Sequence, residues 1–161
     1  MVTLEGRVRK DVYPSYPAKL TLPPSDRWYP RLMRIEMVNA GWWTAAAGLL
    51  REGDSPEESI RCPVPAYVVE TASERILIDT GLHPGAVADP GAFYGATDGL
   101  ALFQLEQELS IADQVDLTTL TKVVLTHLHF DHAGALALIP AEVPVIVQRT
   151  CLLYTSPSPR D

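Results

Sequence analysis

Between residues 32 and 38 apolar side chains alternate with polar ones: Met33, Ile35 and Met37 on one side, Arg34 and Glu36 on the other. A period of two is the mark of a half-buried strand. Two short apolar runs, Ala66 to Glu70 and Ile76 to Ile78, flank the polar stretch Thr71-Ala72-Ser73-Glu74 and predict a hairpin whose second strand ends at Asp79-Thr80-Gly81. Residues 84–97 carry Pro84, Gly85, Pro90, Gly91 and Gly95 and predict a loop. From Asp98 onward Leu102, Leu105 and Leu109 recur at helical spacing, with Asp98 as a candidate N-cap. Lys122 to Thr126 is a short β-branched run that predicts a buried strand. Gly134 to Ile139 reads as helix until Pro140 stops it, and Pro144 to Gln148 as one more strand. Strands dominate first, then helices and strands alternate. That order predicts a layered α/β protein, without repeats and without a second domain.

The flanks differ from this middle. Residues 1–30 are punctuated by Tyr13-Pro14, Tyr16-Pro17, Pro23-Pro24 and Tyr29-Pro30, and each Pro removes a donor and restrains its predecessor, so a loop-rich arm is expected. Residues 51–59 read as a charged loop. At the other end, residues 151–161 (Cys-Leu-Leu-Tyr-Thr-Ser-Pro-Ser-Pro-Arg-Asp) back-translate to a string that resembles a common sequencing-library adapter. This segment is therefore expected to be a non-native tail, with residues 1–150 forming the N-terminal portion of a single domain whose natural chain continues past Thr150.

Charge and composition narrow the functions. The 161 residues hold 13 Lys+Arg against 20 Asp+Glu, a net charge of −7, with no basic run to meet phosphates. Nucleic acid and anionic membrane are poor partners for such a surface. No stretch approaches the ~20 unbroken apolar residues of a membrane span. The N-terminus shows no secretory apolar core, and two cysteines, Cys62 and Cys151, make no disulfide framework. A cytoplasmic protein is expected.

Candidate chemistry is concentrated in six residues. His127-Leu128-His129-Phe130-Asp131-His132 holds three of the four histidines in the chain. On an extended strand His127 and His129 share a face, Asp131 continues that face as the strand ends, and His132 turns in where the next helix begins. Imidazole and carboxylate donors converging at the carboxyl end of a strand suit Zn²⁺, and also Mn, Fe or Co. Without a metal so many polar groups would be crowded together with few partners, at a cost. The remaining histidine, His83, fits no ligand spacing and reads as a loop residue. Of the adjacent Trp42 and Trp43 only one can face the core of a strand; either could serve substrate binding, but packing is their simpler use.

Thr126-His-Leu-His-Phe-Asp-His-Ala-Gly134 resembles the HxHxDH signature of the metallo-β-lactamase superfamily, and within it the N-acyl homoserine lactonases. Val64 to Thr71 with Arg75 to Gly81 is similar to that family's early hairpin. Gly91 to Gly95 falls where the family has an aromatic loop, and Pro144 to Thr150 resembles the strand after its metal helix. The resemblance spans about Val64 to Thr150, with Ala135 standing where the family often has a second glycine. It implies the N-terminal part of an αββα fold and a pair of metal ions, zinc or Mn/Fe/Co. His127 and His129 would hold the first and Asp131 and His132 the second. Asp79 would orient the site without binding metal, or simply cap its turn, and Phe93 would line an acyl-chain pocket or merely pack. The implied reaction opens the ring of a small ester or lactone by a hydroxide held between the metals, with Asp131 protonating the departing ring oxygen.

Catalytic zinc usually has three protein ligands. The motif supplies two per metal, and no histidine follows His132. These 161 residues alone are therefore expected to be inactive, and the missing ligands to lie downstream in a full-length parent. A glyoxalase II-like thioester hydrolase, a β-lactamase, an iron redox protein on the same scaffold and a non-catalytic metal-binding fragment are the alternatives.

Overall fold

A computed structural model describes residues 8–9, 19–21, 33–95 and 102–155. Its centre is an eight-stranded mixed sheet. Two long strands, β3 (Arg34–Ala46) and β4 (Ser59–Glu70), run antiparallel and form its spine; the one-turn helix α1 (Ala47–Leu50) and the charged loop join them. β4 turns at residues 71–74 into β5 (Arg75–Ile78), the predicted hairpin. Beyond it β7 (Lys122–Leu125) and β8 (Val145–Val147) add in parallel. The arm contributes two short strands, β1 (Val8–Arg9) parallel to β4 and β2 (Lys19–Thr21) antiparallel to β3.

Two expectations along this path are corrected. The Gly- and Pro-rich loop at 84–97 contains two one-turn helices, α2 (Pro84–Ala88) and α3 (Pro90–Tyr94). Each begins with Pro, which is preset for a first helical turn, and each has a side-chain cap: His83 accepts from the Gly85 N–H and Asp89 from the Ala92 N–H. The helix expected from the leucine spacing is instead β6 (Gln104–Glu106), paired with Trp42–Thr44 of β3. Leu102 and Leu109 are exposed, so the spacing marks no buried stripe. An available edge of β3 overrode a weak local preference. Asp98, the expected cap, lies outside the described residues.

β6 finds that edge because β3 bulges. The register with β4 shifts between Asn39 and Trp42, where Gly41 adopts φ +134. A Cβ at Gly41 would come 2.6 Å from Leu82 Cδ1 and 3.0 Å from the Glu106 carbonyl. The bulge divides the outer edge of β3 between β2 on one side and β6 on the other.

The core lies on one face of the sheet. Val38, Ala66, Val68, Leu77, Val123 and Leu125 from the strands meet Ile111 of α4 (Ile111–Gln114), then Val115, Leu117 and Leu120. Ser110 and Asp113 form a capping box at the start of α4. After β7 come α5 (Phe130–Ala133) and a 3₁₀ segment, Gly134–Leu138, which buries Ala135 against the same core. The final helix, α6 (Arg149–Thr155), runs on into the stretch expected to be a tail.

Candidate metal centre

β7 stops at Leu125, so the histidines are not on the strand itself. They follow it, in an extended segment that ends at His129, the N-cap of α5. The one-turn helix then presents Asp131 and His132. His127, Asp131 and His132 each bring one donor atom to within 4.8 Å of the others. His129 is exposed; its ring centroid lies 4.5 Å from that of His127, in edge contact. The His127 and His132 rings are 4.0 Å apart. Two imidazoles and a carboxylate at this spacing are a donor set that Zn²⁺ or a similar ion fits.

The turn after β5 holds His132 in place. Asp79 is 4% exposed and adopts φ +59, a backbone state that Asp tolerates better than most residues. Its own N–H donates to the Val124 carbonyl, which ties the turn to β7. Asp79 Oδ2 lies 2.8 Å from His132 Nδ1, and Oδ1 accepts from the Thr126 N–H at 2.8 Å. Thr80 donates to the His132 carbonyl twice, from its backbone N–H at 2.7 Å and its hydroxyl at 3.0 Å. Gly81 accepts from the Ala135 N–H. The carboxylate fixes Nδ1 as the protonated ring nitrogen, which leaves His132 Nε2 to face outward, 3.5 Å from Asp131 Oδ2.

The charges act in a consistent direction. The hydrogen bond to Asp79 lifts the His132 pKa, against burial and with help from the charges of Asp131 and Asp79. Burial raises that of Asp79, but the hydrogen bonds from His132 and Thr126 outweigh it and the net effect is downward. His127 moves down, through burial first and then through its positively charged neighbours His132 and His129. In metal-free protein the His132 imidazole is expected to lose its proton at higher pH than His127, as read from the two-bond ¹H–¹⁵N imidazole resonances. The reverse order would mean that the Asp79 contact is not made in solution. By linkage, the pair's stabilisation through His132 is complete below the ordinary imidazole value of about 6.5 and fades as pH rises through the raised one. The part through Asp79 is complete above the ordinary aspartate range and fades as pH falls through the lowered value.

Three contributors were not singled out from sequence. Thr126 places its hydroxyl 2.8 Å from Asp79 Oδ2, 3.1 Å from His127 Nδ1 and 3.3 Å from His132 Nδ1. Its position, directly before the first histidine at a strand end, was the available signal. Thr80 had none. Trp43, read as packing, donates its indole N–H to Asp131 Oδ2. Phe93, expected either to line an acyl-chain pocket or to pack, sits on α3. Phe93 is 39% exposed, stacks on His83 at 4.3 Å and meets Tyr94 edge-on. Tyr94 Oη is buried with no hydrogen-bond partner among the described residues. Its pKa is pushed up by burial and by the charge of Asp131. His83 caps α2 and stacks on Phe93, outside the cluster of His127, Asp131 and His132. Beside the centre opens a cleft of ≈ 370 Å³, walled by Met37, Trp43, Pro65 and Tyr67 together with Asp131 and His132. Among the described residues no helix is long and apolar enough to cross a membrane.

The chain is similar to known proteins. An N-acyl homoserine lactonase, AiiA, of Bacillus thuringiensis subsp. kurstaki is 35% identical over 102 residues, 60% of this chain and 40% of its own length. The lactonase AiiB of Rhizobium rhizogenes is 35% identical over 80 residues, 47% of this chain and 29% of its own. Among solved structures, an N-acyl homoserine lactone hydrolase with the product N-hexanoyl-L-homoserine at its catalytic metal centre superposes with a TM-score of 0.64 at 27% identity. That match covers 74% of this chain and 50% of the other. The chain thus spans about half the length, or less, of the relatives it matches. The sequence pattern of the metallo-β-lactamase superfamily matches residues 59–149, more than half of the chain, and the donor cluster falls inside that span. On these grounds, the chain belongs to the metallo-β-lactamase superfamily.

Proposed function

We propose that the whole protein is a metal-dependent hydrolase that opens the lactone ring of N-acyl homoserine lactones. The observation that carries this reading is the convergence of His127, Asp131 and His132, buttressed by Asp79, within the stretch shared with the lactonases. On this reading His127 and His129 hold one metal ion, and Asp131 and His132 a second. Zinc suits the donors best. Such ions, when bound, polarise the lactone carbonyl and make water nucleophilic near neutral pH.

The chain's own groups do the rest. Asp79 and Thr126 fix the tautomer of His132 and so the direction of its free nitrogen. Asp131, a ligand of the second ion on this reading, is also the group that would return a proton to the departing ring oxygen. The apolar cleft beside it offers room for an acyl chain, with few polar groups to orient the head. Phe93, exposed on α3 next to Tyr94, is a further acyl-chain contact in this proposal.

The test is a parallel assay of the whole protein on acyl homoserine lactones, glutathione thioesters and β-lactams, with metal analysis. Lactone opening is expected, and His129→Ala should lose metal and activity together. Full metal content in that variant would remove His129 from the ligand set, and a preference for thioesters would favour the glyoxalase-like alternative. The 161 residues by themselves are expected to give no turnover, since the motif supplies only two of the usual three ligands per catalytic zinc.

A further inference from the structure

We infer that Trp43 is a positioning residue for the Asp131 carboxylate, an inference that rests on Asp131 being a metal ligand. The indole Nε1 donates to Asp131 Oδ2 at 3.1 Å, across 88 positions of sequence. Among the described residues this is the only hydrogen bond the carboxylate receives, apart from its 3.5 Å contact with His132 Nε2. Both contacts are made by the same oxygen. A carboxylate oxygen has two lone-pair directions, so an N–H on one leaves the other open toward the space that His132 Nε2 faces. An unheld Asp side chain on a one-turn helix would exchange among χ1 rotamers and swing broadly about χ2, and the indole narrows that choice before an ion arrives.

The indole is itself held. Its ring stands edge-on to Phe103 at 5.5 Å, and Phe103 lies 5.3 Å from Phe130, the residue next to Asp131. This row of aromatic rings ties β3 to the first turn of α5. The bulge at Gly41 sets the register, pairing Trp43 with Cys62 on one side and Leu105 on the other. Trp43 and Asp131 both wall the mainly apolar cleft, and an N–H bonded to an ionised carboxylate is among the stronger hydrogen bonds. The site thus has two supports of the same kind: Asp79 holds the imidazole of His132, and Trp43 holds the carboxylate of Asp131.

The test uses Zn²⁺ alone and the 161-residue chain. Trp43→Phe keeps a ring against Phe103 and removes the donor. Incorporating 3-benzothienylalanine at position 43, with sulfur in place of N–H, keeps ring size as well and guards against a packing defect in the first variant. Affinity is read by competition with a chromophoric chelator. Both variants are expected to bind Zn²⁺ about 10–100-fold more weakly, the usual effect of losing a partner that orients a ligand. In ¹⁵N spectra of the metal-free chain, Asp131→Asn should move one indole N–H resonance and leave the other two, and the resonance that moves should be absent in Trp43→Phe. Affinities within twofold of the parent in both variants, with binding weakened at least tenfold by Asp131→Ala, would overturn the role of Trp43 and leave the metal site standing. No Zn²⁺ binding by the parent chain would overturn the site itself, and this inference with it.

Discussion

Replacing Asp79 by asparagine is expected to weaken Zn²⁺ binding about 10–100-fold while the chain stays folded. Asparagine accepts the positive φ of this position, and its carbonyl oxygen can still receive the Thr126 N–H that Asp79 Oδ1 receives at 2.8 Å. The change falls on the other side of the group. Asp79 Oδ2 faces His132 Nδ1 at 2.8 Å and, being acceptor-only, keeps the ring proton there. An amide NH₂ in its place donates to Nδ1, moves the proton to Nε2 and so occupies the lone pair that faces Asp131 and the metal position. The measurement is competition for Zn²⁺ with a chelator, alongside urea unfolding of the metal-free variant. Unchanged affinity would reduce Asp79 to a cap for the Thr126 turn.

The second large effect concerns folding. Gly81→Ala should destabilise the chain by about 2–5 kcal/mol, combining the cost of a left-handed residue with that of overpacking. Gly81 has φ +76, and an added Cβ would overlap Ala40's Cβ and lie 3.2 Å from its carbonyl. Ala40 is fully buried on β3 and cannot retreat. The same turn carries Asp79 and Thr80, so displacing it also breaks their hold on His132. Urea unfolding followed by circular dichroism gives the stability, and the imidazole resonance of His132 reports the local damage. A variant as stable as the parent would mean the turn can slide away from β3.

Much of the path between residues 59 and 149 was legible because local signals agreed there. Two short apolar runs around a polar turn marked the β4–β5 hairpin, β-branched residues marked β7, and Pro140 ended the 3₁₀ segment where expected. One error was local, since Pro84 and Pro90 with the caps His83 and Asp89 start one-turn helices where a loop was expected; the others came where partners far along the chain decided the outcome. Helical leucine spacing gave way to β6 because the bulge at Gly41 leaves an edge of β3 to pair with, and nothing near residue 104 encodes that edge. The histidines sit past the end of β7 rather than on it, because Asp79 and Thr80 anchor the chain from Thr126 to His132 by hydrogen bonds across about fifty residues.

By itself the sequence determined which atoms are available for chemistry: three imidazoles and a carboxylate within six residues, too polar a group to bury without a metal or a partner. Donor identity is a property of side chains, and their spacing confines them to one strand end. Only the tertiary structure decided how those donors are aimed. Aim depends on hydrogen bonds with Asp79, Thr80 and Trp43, residues 53, 52 and 88 positions away from the groups they hold. Contacts that distant leave no periodicity to read, because they exist only once β3, β5 and β7 have come together in one sheet.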